Sequence, residues 1–134
     1  MPAVHTFTPD DDRAVRAVLT SQRDAWNKGD LDGYMAGYAK SPDTVFTALG
    51  TINHGWQATY DRYAKKYADR AQMGHLELDV LSVQALGADG AIVLGKWALT
   101  GTELAAHGVF SLGMARDATG WHVVHDHTSV DAQR

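Results

Sequence analysis

An α+β domain with its helices ahead of an antiparallel sheet is what this chain's residue order calls for. Two observations carry that expectation. Helical periodicity fills the first half, and four long runs of alternating or wholly apolar residues, parted by short turns rich in glycine and aspartate, fill the second. Consecutive strands joined by tight turns pair antiparallel, so helices gathered before them must cover one face of the sheet.

The first helix is signalled by Asp10, Asp11 and Asp12, which supply cap candidates and negative charge at a helix start, followed by Val15, Val18, Leu19, Gln22 and Trp26 at helical spacing. Lys28-Gly29 ends it. Asp30 caps a second, short helix in which Leu31, Tyr34, Met35 and Tyr38 share a face, stopped by Ser41-Pro42. Thr44–Leu49 is β-branched and apolar, and Gly50-Thr51 returns it into Ile52–His54 as a hairpin. A third helix runs from about Gly55, with Trp56, Tyr60, Tyr63 and Tyr67 in a stripe that reads as core packing, Trp56 and Tyr60 being able to rim an entrance. The strands His75–Leu86, Ala91–Thr100, Leu104–Arg116 and Trp121–Val130 follow, giving the order α-α-β-β-α-β-β-β-β.

Length and composition bound the function. With 134 residues, 45% of them hydrophobic, and no repeat or linker, the chain reads as a single domain, residues 1–134, with residues 1–11 as an N-terminal arm. Its start lacks the basic and apolar segments of a secretory signal, no window has the length of a membrane span, and the cytoplasm is the expected compartment. The absence of Cys excludes disulfides, thiolate nucleophiles and Cys-ligated metals. A net charge of −4 argues against a general nucleic-acid binder, and the seven His form the main charge reserve near neutral pH. Strands such as Ala91-Ile92-Val93-Leu94 are apolar on both faces, which points to a homodimer formed through the sheet.

Ala25-Trp26-Asn27-Lys28-Gly29-Asp30-Leu31-Asp32, Pro42-Asp43-Thr44-Val45-Phe46 and the closing Gly120–Ser129 segment carry a family likeness spanning about residues 12–130. The chain resembles the nuclear transport factor 2-like superfamily, in its SnoaL-like and ketosteroid isomerase-like branch. Its last strand is also similar to the end of calcium/calmodulin-dependent kinase II association domains. The resemblance implies a cone: a strongly curved antiparallel sheet wrapped around the helices, with a pocket inside. It does not fix the chemistry, because this fold serves isomerases, dehydratases, cyclases, hydrolases and oligomerisation modules. In ketosteroid isomerases of this fold an Asp base and a Tyr–acid oxyanion hole do the work. Alignment on Gly29-Asp30-Leu31-Asp32 brings those positions near Thr47 and Gln22, which argues against that mechanism. The iota-type carbonic anhydrases match only loosely through His125-Asp126-His127-Thr128-Ser129.

Strand alternation nominates the site residues. With Trp121 and Val123 inward, His125 and His127 share their face and look into the pocket, and Asp126 turns to the opposite one. Trp97 belongs to an inward set in which Gly95 leaves space for a ligand. His107 and Phe110 lie on opposite faces of their strand, and the pattern does not choose between them. Gln22, Trp26, Tyr34 and Tyr38 contribute from the helices. Such a lining suits a small apolar or aromatic metabolite.

Three readings of His125 and His127 stand side by side: neutral structural groups in a core, acid–base catalysts of a cofactor-free isomerase, cyclase or dehydratase, or two ligands of a three-His metal site completed by His107 or His54. His54 also suits a pocket mouth or a helix cap. A non-catalytic binding or accessory role needs only the apolar cavity.

Overall fold

The structure, a computed structural model, describes residues 6–131. Helix α1 (Pro9–Asn27) begins on a capping box: the Thr8 hydroxyl accepts from the Asp11 backbone N–H at 3.2 Å, and the Asp11 carboxylate accepts from the Thr8 backbone N–H at 2.9 Å. The cap thus precedes the Asp10–Asp12 run. The N-terminal arm expected over residues 1–11 is correspondingly shorter, because Phe7 packs edge-on against Trp121 at 5.6 Å; residues 1–5 lie outside the described residues. Asp11 is buried and accepts from Arg116 Nη1 at 3.0 Å and Trp121 Nε1 at 3.2 Å, which fastens the helix start to the end of the chain. At the other end Trp26 donates to the Met73 carbonyl at 2.7 Å, and Asn27 exchanges two hydrogen bonds with the Leu76 backbone.

Helix α2 (Leu31–Met35) is capped by Asp30 and lasts about one turn. It is shorter than its apolar pattern because the next residues leave to pair with the sheet. The Ala39 N–H donates to the Val123 carbonyl and the Val123 N–H to the Gly37 carbonyl, each at 2.8 Å, so Tyr38 is held in a parallel bridge with Val123. Then come β1 (Val45–Ala48), β2 (Thr51–His54), α3 (Trp56–Lys66) and a one-turn helix, α4 (Arg70–Met73), that the sequence pattern did not reveal. The chain ends in β3 (His75–Ala85), β4 (Gly90–Thr100), β5 (Ala106–Asp117) and β6 (Gly120–Thr128).

These strands form one curved, open sheet in the order β2-β1-β6-β5-β4-β3, with the helices against its inner face. Neighbours are antiparallel except β1 and β6, which run parallel with Thr47 opposite His127. Val15, Leu19, Met35, Val93, Leu112 and Val123 are among the residues that close the core between helices and sheet. Among the described residues no helix is long and apolar enough to cross a membrane.

Two irregularities change which residues face inward. In β3 the register shifts between Val80 and Ser82, leaving Leu81 as an extra residue. In β6, Val123 pairs with Met114 but His125 pairs with Gly113, so Val124 is the extra residue. One inserted residue reverses the alternation beyond it. Trp121 and Val123 therefore face the core, and past the bulge so do Asp126 and Thr128.

Candidate functional site

An internal cavity of about 110 Å³ opens between α1, α2, α3 and the inner face of the sheet. Gln22, Trp26, Tyr34, Tyr38 and Trp97 line it, as the sequence led us to expect, and so does Phe110. Trp26 meets Tyr34 and Tyr67 edge-to-face at 5.0 and 4.9 Å, which builds an aromatic wall. Phe110, rather than His107, is the inward member of its strand. Gln22 is oriented by donating from Nε2 to the Tyr34 carbonyl at 3.3 Å, and the Trp97 indole N–H donates to the Ser129 carbonyl at 3.0 Å.

The histidine expectation needs correction. His125 and His127 are exposed on the outer face of the sheet, and neither borders the cavity, because the Val124 bulge turns them away. Thr47 goes outward with them and its hydroxyl hydrogen-bonds His127 Nδ1 at 2.9 Å. His107 is likewise exposed, with Nδ1 at 2.9 Å from an Asp131 carboxylate oxygen. His54 is exposed at the end of β2 and neither borders the cavity nor caps α3, whose cap is Gly55. Among the described residues no group of three or more His, Asp or Glu converges as metal ligands, so the three-His arrangement does not form. Gly95 leaves no vacancy for a ligand either: the Phe110 ring fills the space its missing Cβ frees.

Asp126 takes the inward position, buried at 4% exposure. Its two carboxylate oxygens are both engaged, Oδ2 accepting from the Tyr38 hydroxyl at 2.6 Å and Oδ1 from the Thr128 hydroxyl at 2.7 Å. Tyr38 Oη lies 3.2 Å from Tyr34 Oη, which lies 3.1 Å from Tyr63 Oη. A continuous chain of four polar groups thus crosses the cavity wall, Asp126–Tyr38–Tyr34–Tyr63. The tertiary structure brings four elements together to make it: β6 at Asp126, the strand-like bridge at Tyr38, the last turn of α2 and the middle of α3.

Burial decides the charge states. It pushes the Asp126 carboxyl above the usual carboxylate range, against the opposing effects of its two hydrogen bonds and the neighbouring histidines. Burial first and the Asp126 charge second raise Tyr34 and Tyr38, while burial and Tyr34 raise Tyr63. The tyrosines are therefore neutral hydroxyls that donate and accept, and the carboxyl is a weaker acid than in water.

Asp126, Thr128 and Tyr63 are the site residues that alternation missed. Tyr63 was visible as a member of the aromatic stripe on α3, which reads as core. Asp126 was visible as an acid inside an apolar strand, but its orientation depends on the bulge.

An open curved sheet folded over three N-terminal helices and a one-turn helix, with an apolar cavity and a buried acid among tyrosines, defines a pocket domain of the nuclear transport factor 2-like, or cystatin-like, type. The chain belongs to the SnoaL-like domain family, whose model matches residues 15–133. It is similar to an NTF-2-like protein of unknown function from Shewanella oneidensis MR-1, at 33% identity and a TM-score of 0.83, over 91% of this chain and 99% of that one. The fold is also that of a ketosteroid isomerase-like protein from Erwinia carotovora atroseptica (19% identity, TM-score 0.78, 94% of this chain and 100% of that one). A nuclear transport factor 2-like superfamily protein from Salmonella enterica serovar Typhimurium shares it too (18% identity, TM-score 0.75, 92% and 93%). No curated protein matches the chain.

Proposed function

We propose that this protein binds a small apolar or aromatic molecule in its cavity and moves a proton on one of its oxygens, as a cofactor-free isomerase, cyclase or dehydratase would. The observation that carries this reading is the four-group chain ending in buried Asp126. Each tyrosine has a single proton to give. With Asp126 ionised, Tyr38 donates to it, so Tyr34 must donate to Tyr38 and Tyr63 to Tyr34; the free end, Tyr63 Oη, is left as an acceptor. With Asp126 protonated the chain reverses: Asp126 donates to Tyr38, Tyr38 to Tyr34, Tyr34 to Tyr63, and the Tyr63 O–H is free to donate to a ligand oxygen. One proton on Asp126 thus converts Tyr63 from a group that accepts from a hydroxyl into one that polarises a carbonyl, the two roles that proton transfer at a bound oxygen requires.

The low-dielectric aromatic surroundings strengthen each of these hydrogen bonds and keep bulk water from competing. Asp126 is the acid–base group, Tyr38 and Tyr34 relay, and Tyr63 meets the ligand. A phenol whose colour reports its ionisation tests the reading. On binding, 4-nitrophenol should change its ionised fraction relative to buffer at the same pH, and Tyr63→Phe or Asp126→Asn should abolish that change. A bound spectrum equal to that in buffer and indifferent to both substitutions overturns it.

One observation favours binding without turnover: the hydroxyls of the chain are already satisfied by one another. In that case 4-nitrophenol binds with its ionisation unchanged. We also propose that two copies pair through the outer face of the sheet, as its exposed Ile92, Leu94 and Val109 suggest.

A further inference from the structure

The cavity's mouth carries positive charge that no carboxylate among the described residues neutralises. Arg62 and Lys66 stand four residues apart on α3 and both line the cavity. Residues so spaced are neighbours on one helix face, where like charges repel, so the pair is unfavourable unless something else uses it. The chain has acid to spare, 16 Asp+Glu against 12 Lys+Arg. Its other described arginines are all satisfied: Arg13, Arg16, Arg23 and Arg116 by aspartates, and Arg70 by two backbone carbonyls. Among the described residues Arg62 has neither a carboxylate nor a carbonyl partner. Its guanidinium instead lies over the Phe46 ring at 5.7 Å, and the Lys66 ammonium lies over the Tyr67 ring at 5.4 Å. Both cations therefore rest on aromatic side chains at the mouth with their hydrogen-bond donors unspent. Partial burial and the Arg62 charge lower the pKa of Lys66, the signature of a cation lacking a counter-charge.

From this arrangement we infer that the ligand is a small aromatic or similarly sized apolar carboxylate, held with its carboxylate at Arg62 and Lys66 and its apolar body in the cavity. The inference rests on the reading of the cavity as a ligand site. A guanidinium pairs both oxygens of a carboxylate at once, and seating it on Phe46 reduces the freedom lost on binding. A cavity of about 110 Å³, somewhat smaller than the roughly 150 Å³ void that holds benzene, limits the buried body to no more than about one ring. The last carbonyls of α3 end beside Lys66 and add partial negative charge there, which favours a monoanion over a phosphate dianion. An oxygen at the far end of such a ligand would meet the Tyr63 end of the hydrogen-bonded chain.

Calorimetric titration with 4-hydroxyphenylacetate, its isosteric amide and phenyl phosphate tests this. The carboxylate should bind about tenfold more tightly than the amide at low salt, and the ratio should shrink as salt is raised. The double substitution Arg62→Gln/Lys66→Gln, with folding checked by thermal melting, should bring the ratio near one. Lys65→Gln, the same charge change on the exposed side of the same helix, should leave the ratio intact. Equal binding of carboxylate and amide by the unmodified protein, or a ratio that survives the double substitution, overturns the carboxylate assignment while the cavity reading stands. Tighter binding of phenyl phosphate overturns it in favour of a dianion. Failure of all three compounds to bind at millimolar concentration overturns the cavity reading and the inference with it.

Discussion

Asp126 concentrates the chemistry and carries a stability signature that can be read without knowing the ligand. Its carboxyl titrates above the usual range because it is buried. In the unfolded chain an aspartate releases its proton at about pH 3.9. Below that pH both states hold the proton. As pH rises past it, the unfolded chain loses the proton while the folded chain keeps it, so stability falls until the folded carboxyl also titrates. Asp126→Asn removes this dependence and keeps a group that can accept from Tyr38 and interact with Thr128. The variant's melting temperature should gain on the unmodified protein as pH rises above about 4, until the folded carboxyl itself titrates, and parallel pH profiles would contradict the assignment. His125→Ala and His127→Ala make the complementary test: both side chains are exposed and outside the cavity and act on Asp126 only as the smallest of its electrostatic influences, so each should alter the ionisation of bound 4-nitrophenol far less than Asp126→Asn does. Residue type was legible in the sequence here, orientation was not. Gln22, Trp26, Tyr34, Tyr38 and Trp97 reach the cavity as expected, because they lie where the periodicity is unbroken or nearly so, whereas alternation alone left Phe110 and His107 undecided. His125, His127 and Asp126 exchange faces because one inserted residue is energetically inexpensive and leaves almost no mark on composition.

The elements themselves were largely legible, since burial needs periodicity and periodicity is written in the residues. The second helix is the instructive exception. Its apolar pattern continues to Tyr38, yet α2 stops at Met35 because residues 37–39 make better use of their backbone groups by pairing with Val123. That choice is what delivers the Tyr38 hydroxyl to Asp126. Two positions expose how tightly elements are fitted around the cavity. A Cβ on Gly95 of β4 would lie 2.7 Å from the Asp79 carbonyl oxygen and would strike the Phe110 ring, so Gly95→Ala should cost about 2 kcal/mol in denaturant unfolding. An unchanged midpoint would mean that the sheet yields locally. Leu49, at the β1–β2 turn, has φ of +52° although it is not glycine, and its side chain is 66% exposed at the cavity. A strained, exposed apolar residue at a ligand mouth indicates stability given up for contact. Leu49→Asn, which tolerates this conformation, should gain about 1 kcal/mol of stability. The same change should weaken binding of 4-hydroxyphenylacetamide, which has no charge to confuse the comparison; a stabilised variant with undiminished affinity would show that Leu49 does not touch the ligand.

At the scale of the whole molecule, one sheet presents two different faces, and the outer one carries several exposed apolar side chains. Alternation sends Val93 and Leu99 of β4 into the core and leaves Ile92 and Leu94 outside at 42% exposure each, beside Val109 of β5 at 45%. The register sets Val109 diagonally across from Leu94, with Leu94 opposite Ser111 and Lys96 opposite Val109, so the apolar residues share one patch with these two polar neighbours. A stable pair of copies needs about 800 Å² from each partner. The outer surface of four neighbouring strands, β3 to β6, can supply that, and a two-fold axis through it makes the patch its own complement. The cavity lies on the opposite side of the sheet, so the proposed pairing and the proposed ligand site would use separate surfaces. Leu94→Asp places a charge at the centre of the patch without touching the core. Sedimentation should show the unmodified protein as a dimer at micromolar concentration and Leu94→Asp as a folded monomer, since an unpaired charge in an apolar interface costs several kcal/mol. The monomer should still change the ionisation of bound 4-nitrophenol as the dimer does, because the Asp126 chain is built entirely within one copy. A monomeric unmodified protein would dismiss the outer-face dimer, and a monomeric variant that binds but no longer shifts the phenol would show that pairing supports the cavity from behind.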